Sequence, residues 1–272
     1  MSTKIIEARG RKVALIEAGA GEPLIYLHGF ADVHAAMDEL QPFHSALANH
    51  RRVIAIALPG VNGSDELSGS SSPDDIVFSL LEAIDALGLK TFDLVGHCAG
   101  GWFAAEIAVR HPERVRKLAL IGATGLFVPG ELIGDIFMHA QPQRGVDYTT
   151  LREMLFSSDK HPIAQQYYPD IRGEIDVEVR RYQMLRFGSF AGFKPPYFYN
   201  RSLIDRLYRA AMPACVVWGE KDGMVPIAHA HAYAQRLPGA GGKAYVMAGA
   251  GHAAHLEEPG KVGEIVSAFL KG

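Results

Sequence analysis

The sequence predicts an α/β fold: a mostly parallel central sheet with helices on both faces and one inserted helical cap. Three observations carry the expectation. Short runs of nearly continuous apolar residues, such as Val53-Ile54-Ala55-Ile56-Ala57-Leu58, suit strands covered on both faces, as parallel strands are. Stretches with helical spacing separate these runs, and such alternation places helices on both sides of one sheet. The chain has 272 residues, 48% of them hydrophobic, and only two cysteines, so it can bury a large core without a disulfide framework.

Taken in order, Met1 to Arg9 alternates polar and apolar residues and is soon charged, unlike a signal peptide. Leu24–Leu27 reads as the first strand, 34–48 as helix, and Val53–Leu58 as the next strand. Ser68-Gly69-Ser70-Ser71-Ser72-Pro73 reads as a loop ending in a helix cap. Ser72 suits the N-cap, Pro73 the first helical position, and Asp75 the positive helix end. Ile76, Val77, Leu80, Leu81, Ile84 and Leu87 then form an apolar stripe over 73–87, which Gly88 closes. Strand Phe92–Val95, helix 99–111 and strand Leu118–Ile121 follow.

The alternation lapses between 125 and 201, a stretch holding thirteen of the twenty-three Phe and Tyr residues in 77 positions. That enrichment fits a lid over a site and equally a helical subdomain with its own small core. Beyond it come strand Ala214–Trp218, helix 227–236, the weaker strand candidate Ala244–Met247, and helix 259–270.

With 27 basic and 30 acidic residues, the net charge of −3 supplies no basic stripe for nucleic acid. No run approaches the ~18 apolar residues of a membrane span. The expectation is a soluble, cytoplasmic protein acting on a small molecule, without membrane or nucleic-acid partners. His229-Ala230-His231 points to different helix faces with no convergent carboxylate, so neither metal nor cofactor is expected.

Gly96-His97-Cys98-Ala99-Gly100-Gly101 is the strongest local signal. A strand turning sharply into a helix strains the residue at the apex, and glycines two before and two after leave room for the turn. This is the G-x-S-x-G nucleophile elbow with Cys98 in place of serine. Cys215, mid-strand in Ala214-Cys215-Val216-Val217, reads as packing.

At this point the chain resembles the α/β-hydrolase fold superfamily, closest in pattern to capped esterases and carbon–carbon bond hydrolases. Gly219-Glu220-Lys221-Asp222-Gly223-Met224-Val225-Pro226 looks like the family's acid loop, which implies Asp222 as the acid, with Glu220 a rival two positions earlier. Gly249-Ala250-Gly251-His252-Ala253-Ala254-His255 looks like its histidine loop, which implies His252 as the base, with His255 packing nearby. The order nucleophile, acid, histidine matches, with separations of 124 and 30 residues. Leu27-His28-Gly29-Phe30 resembles the oxyanion loop, which implies the backbone N–H groups of Phe30 and Ala99 as oxyanion donors. Leu58-Pro59-Gly60-Val61-Asn62-Gly63-Ser64-Asp65 is similar to the family's P-G-x-G-x-S-D turn, with one extra residue between the glycines. The resemblance implies a hydrolase core of 1–124 and 202–272 and a cap of 125–201.

A cysteine nucleophile adds an expectation of its own. A helix N-terminus or an adjacent imidazolium lowers a thiol pKa to ~3.5–7.5, so a resting state that is partly thiolate–imidazolium is expected at Cys98 and His252. The leading reading is hydrolysis of a small ester, lactone or thioester through an acyl-enzyme. Two others stand beside it: carbon–carbon bond hydrolysis of a diketone or ring-cleavage product, and a non-catalytic ligand-binding relative. Relatives of this pattern normally carry serine, so either a natural cysteine enzyme or an altered serine enzyme fits.

Overall fold

The computed structural model describes residues 3–32, 40–67, 72–139, 148–170, 175–192 and 197–272. Among these residues the apolar runs form one sheet of eight strands. They are β1 (Lys4–Ala8), β2 (Arg11–Ala18), β3 (Pro23–Leu27), β4 (Arg52–Ile56), β5 (Phe92–His97), β6 (Val115–Ile121), β7 (Ala214–Gly219) and β8 (Ala244–Met247). The spatial order is β1-β2-β4-β3-β5-β6-β7-β8. β2 is antiparallel to β1 and to β4, and the remaining pairings are parallel.

All six expected strands are present, and β1 and β2 are additional. They form a hairpin whose two turn residues, Arg9 (φ 53°) and Gly10 (φ 78°), both lie in the left-handed region that a two-residue turn needs. The polar–apolar alternation of the N-terminus was its signal, but Arg at the first turn position disguises it. The strand expected over Val53–Leu58 stops at Ile56, because the backbone N–H of Ala57 donates across to Ala14 (2.9 Å) and that of Leu58 to His28 Nε2 (3.1 Å).

The helices are α1 (Pro42–Ala48), α2 (Pro73–Ala86), α3 (Cys98–Arg110), α4 (Ile136–His139), α5 (Thr149–Leu155), α6 (Pro162–Tyr167), α7 (Ile175–Gly192), α8 (Leu203–Arg206), α9 (Ile227–Arg236), α10 (Ala254–Glu257) and α11 (Pro259–Lys271). Of the helix expected over 34–48, residues 34–39 lie outside the described residues. The loop expected over 68–71 does too. At α2 the Ser72 hydroxyl accepts from Asp75 N–H (3.3 Å) and the Asp75 carboxylate accepts from Ser72 N–H (2.7 Å), a reciprocal cap with Pro73 in the first turn. None of the described helices is long and apolar enough to cross a membrane.

Alternate residues of the central strands feed two separate cores. Leu24, Tyr26, Val53, Ala55 and Cys215 pack against Phe43 and Leu47 of α1 and Val262 and Val266 of α11. Ile25, Leu27, Ile54, Ile56 and Val216 face the opposite way, toward α2, α3 and α9. The thiol of Cys215 therefore packs in a strand, as expected, and burial pushes its pKa up to about 12.

His44 sits in the first core with its ring 4.2 Å from that of Tyr26, and neither nitrogen has a hydrogen-bond partner among the described residues. Burial holds its pKa down to about 3. An unmatched buried polar group is costly, so His44→Phe should raise stability by about 1–2 kcal/mol and the melting temperature by a few degrees. A lower melting temperature, followed by circular dichroism, would show that the imidazole is matched after all.

His255 behaves alike: burial, helped by His97, holds its pKa down to about 4. Unfolded histidine titrates near 6.5, so on acidification the unfolded chain takes up protons that the folded core refuses. Their contribution is complete above pH ~6.5 and is lost progressively as pH falls toward 4, by about 2 kcal/mol per histidine at pH 5. Urea midpoints at pH 7.5 and 5 should show this loss, and His44→Phe should remove about half of it.

Candidate active site

The candidate nucleophile stands where β5 turns into α3. His97 is still extended (φ −107°, ψ 139°), while Cys98 takes φ +54°, a conformation strained for any residue with a side chain. The glycine frame is a steric requirement. A Cβ on Gly96 would lie 2.4 Å from the carbonyl oxygen of Gly100, and one on Gly100 would lie 2.2 Å from that of Leu27. Gly29 is constrained in the same way, since a Cβ there would lie 2.3 Å from Cys98 Cβ. Strand β3, the elbow and the His-Gly loop therefore touch backbone to backbone.

The Cys98 sulfur is 0% exposed and faces Met224 Sδ at 3.9 Å. Burial pushes the thiol pKa well up; the backbone N–H groups of Phe30 and Ala99, both donating to the sulfur, draw it down by less. Asp222 and Asp32 nearby oppose the thiolate further. The expectation of a lowered thiol pKa is thus corrected: burial raises it by more than the two N–H groups lower it. The resting group is a neutral thiol with two N–H donors already aimed at it.

Asp222 and His252 are brought together as the sequence implied. Asp222 Oδ2 accepts from His252 Nδ1 (2.8 Å), while Oδ1 accepts from the N–H groups of Met224 (2.9 Å) and Val225 (2.7 Å). Both side chains are almost wholly buried, at 1% and 0% exposure. The two loops interlock, for a Cβ on Gly219 would lie 2.0 Å from the carbonyl oxygen of Gly251. Glu220, the rival acid, is exposed and instead accepts from Gly249 N–H (2.8 Å), bracing the histidine loop. With Nδ1 committed to Asp222, His252 Nε2 is left as a buried nitrogen with no partner among the described residues. The structure therefore joins Asp222 to His252 but shows no hydrogen bond from His252 to Cys98, whose thiol faces Met224 instead.

Of the other histidines, His229 is buried and bonds the Glu131 carbonyl (2.9 Å) while His231 is exposed, so the two face apart as expected. Asp32, His97 and His255 are spaced as metal ligands, with donor atoms within 4.8 Å of one another. Both oxygens of Asp32 and both nitrogens of His97 make hydrogen bonds, while His255 Nδ1 is buried with no partner among the described residues. Asp32 was not anticipated: it lies two residues beyond Phe30 in a stretch with no motif, and two of its partners, His97 and His255, are remote in sequence.

The 125–201 segment contributes the aromatic surroundings. Phe187 of α7 and Phe198 lie 5.4 and 5.2 Å from Phe30, ring centre to ring centre, and Phe137 stacks on Phe198 at 6.0 Å. Leu151, Leu155, Tyr168 and Met184 of the segment are buried in the same hydrophobic cluster as the α2, α3 and α9 face of the sheet, and Arg152 pairs with Asp170 (2.7 Å). Where the segment leaves the sheet, Gly125 (φ +104°) packs on Trp102, whose indole N–H donates to Glu106 (3.2 Å). A cleft of about 620 Å³ opens there, lined by Trp102, Tyr199 and Arg201, among others, and by none of Cys98, Asp222 and His252.

Residues 22–259 match the family described as alpha/beta hydrolase fold. The 2-hydroxymuconate semialdehyde hydrolase of Pseudomonas sp. (strain CF600) is 28% identical over 278 residues, covering 97% of this chain and 92% of that one. The dihydrolipoyllysine-residue acetyltransferase component of the acetoin cleaving system of Cupriavidus necator is 28% identical over 263 residues. That match takes in 94% of this chain and 65% of the other, less than two thirds of its length. Among solved structures, 2-hydroxy-6-oxo-6-phenylhexa-2,4-dienoate hydrolase from Rhodococcus sp. strain RHA1 has a TM-score of 0.77 at 21% identity, with 100% of each chain covered. At that identity the likeness is one of fold.

Proposed function

The chain belongs to the alpha/beta hydrolase fold family, and from that premise we propose that it hydrolyses small acyl substrates through Cys98, His252 and Asp222. The observation that carries the reading is the Asp222–His252 pair at 2.8 Å, which leaves Nε2 buried with no partner among the described residues, together with the strained elbow that presents Cys98. Because the thiol rests neutral, attack on a carbonyl requires His252 to take its proton as the S–C bond forms. Asp222 holds the ring in the tautomer that leaves Nε2 free and stabilises the imidazolium so produced. The carbonyl oxygen, gaining negative charge, takes over the two N–H groups that now face sulfur; losing one such donor typically costs about 2.7–4 kcal/mol. Collapse expels the leaving group, protonated by His252. Water, deprotonated by the same ring, then hydrolyses the thioester.

The substrates proposed first are esters, lactones or thioesters with an apolar or aryl portion, since Phe30, Phe187, Phe198 and Phe137 supply ring faces and edges beside the elbow. The 125–201 segment acts as a cap over the 1–124 and 202–272 core in this reading. The proposed setting is cytoplasmic, where free thiols such as Cys98 and Cys215 stay reduced. A second reading, favoured by the 2-hydroxymuconate semialdehyde hydrolase likeness, has the same site cleave an acyl–carbon bond of a ring-cleavage product. Assaying aryl esters, lactones, thioesters and vinylogous diketones in parallel separates them. Turnover of esters at a higher kcat/KM than diketones supports the first reading, the reverse order the second, and no turnover of any class counts against both.

A further inference from the structure

The deepest polar group behind the elbow is the carboxylate of Asp32, which is fully buried on the turn after β3. Oδ1 accepts from the backbone N–H of Gly29 (2.6 Å) and from His97 Nδ1 (2.9 Å). Oδ2 accepts from the Tyr26 hydroxyl, and His255 Nε2 lies 3.3 Å away. The far nitrogen of His97, Nε2, reaches the backbone carbonyl of His252 (3.2 Å).

These partners are not scattered. Gly29 precedes Phe30, whose N–H faces the sulfur. His97 precedes Cys98. His255 follows His252 by three residues, and the His97 ring ties directly to the His252 backbone. One carboxylate therefore joins the three loops that carry the nucleophile, an oxyanion donor and the base. We propose that Asp32 is a positioning residue, which sets the mutual placement of the oxyanion loop, the elbow and the histidine loop through Gly29, His97 and His255.

Stability alone is a poor reason for this arrangement. A carboxylate withdrawn from water must recover its hydration through every one of its hydrogen bonds, and apolar residues of similar volume often serve a core as well or better. Burial pushes the Asp32 pKa up, but His97 and His255 together hold it well below the usual carboxylate value, so it accepts from its partners as an anion. Three loops without a common secondary-structure element need a common anchor, and displacement of reacting groups by about 1 Å can lower a rate about 100-fold.

The proposal rests on the reading of Cys98, His252 and Asp222 as the reacting groups. The test measures kcat, KM and melting temperature of Asp32→Asn, His97→Gln and the double variant with p-nitrophenyl butyrate or the best ester of the panel. Val266→Ala, in the core on the α11 side, serves as a destabilised control, and Cys98→Ala is run alongside. Asn keeps the shape of Asp32 but not its charge, so kcat should fall about 100-fold with KM changed less than about 3-fold. The double variant should be no slower than the worse single, because both residues act through one chain of contacts. Should Asp32→Asn not fold, His255→Gln, which cuts a single tie, takes its place, with kcat falling about 10-fold. The proposal is overturned if kcat of Asp32→Asn stays within 3-fold of the parent, if it falls no further than in Val266→Ala of equal melting temperature, or if the single effects multiply. Turnover surviving in Cys98→Ala would overturn the catalytic reading itself, and this proposal with it.

Discussion

Replacing Cys98 with alanine should lower kcat by at least ~10⁴-fold, equivalent to about 5.5 kcal/mol of barrier. The thiol is the one group at the apex able to form a bond to carbon, and alanine removes it while leaving the two N–H donors of Phe30 and Ala99 in place. Alanine also fits the frame: it carries no more than the Cβ that already stands at φ +54°, so melting temperature should change by a few degrees at most. Cys98→Ser is the informative companion. Because burial raises the thiol pKa, the proposed route has Cys98 depend on His252 as a hydroxyl does, and the serine variant should retain measurable ester turnover. An alanine variant that keeps more than a tenth of the parent kcat would remove Cys98 from the mechanism.

Asp222→Asn carries the second large effect, a fall of about 10⁴-fold in kcat with KM within a few-fold of the parent. The Asp222 oxygen that faces His252 Nδ1 at 2.8 Å would become an amide able to donate. The ring then answers by placing its proton on Nε2, the nitrogen proposed to accept from sulfur. The other oxygen keeps its bonds from Met224 and Val225, so the loop should hold its shape and the loss should be one of tautomer. A fall of less than 10-fold in steady-state assays would mean that His252 is oriented by something else. Glu220→Gln offers the contrast: its carboxylate is exposed and holds Gly249, so kcat should stay within about 3-fold.

The parts of this protein that local sequence determines were legible in it. The glycines around Cys98 are dictated by clashes of 2.2 to 2.4 Å with neighbouring carbonyls, and that need is written into six consecutive residues. Asp222 and His252 were legible through the resemblance of their loops to the family's acid and histidine loops, and the structure joins them at 2.8 Å. Other features depend on distances that only folding creates. The β1–β2 hairpin turns on Arg9 at positive φ, where a turn-forming Asn or Gly would have announced it. Asp32 gains meaning from His97 and His255, 65 and 223 positions away, which no local pattern connects. The thiol pKa went the opposite way from the expectation because a helix terminus is visible in sequence, whereas complete burial beneath Phe30 and Met224 is not.

The most direct test is to find where the acyl group goes. Mixing the protein with an aryl ester, quenching within milliseconds to seconds and mapping the acid-stable peptides by mass spectrometry should show the acyl mass on the peptide containing Cys98. The adduct should be labile to hydroxylamine, as a thioester is, and should accumulate in His252→Ala or Asp222→Asn only as slowly as those variants turn over. An acyl group found on another residue, or turnover at the parent rate with no adduct at Cys98 under any quench, would contradict the assignment of this thiol as the nucleophile.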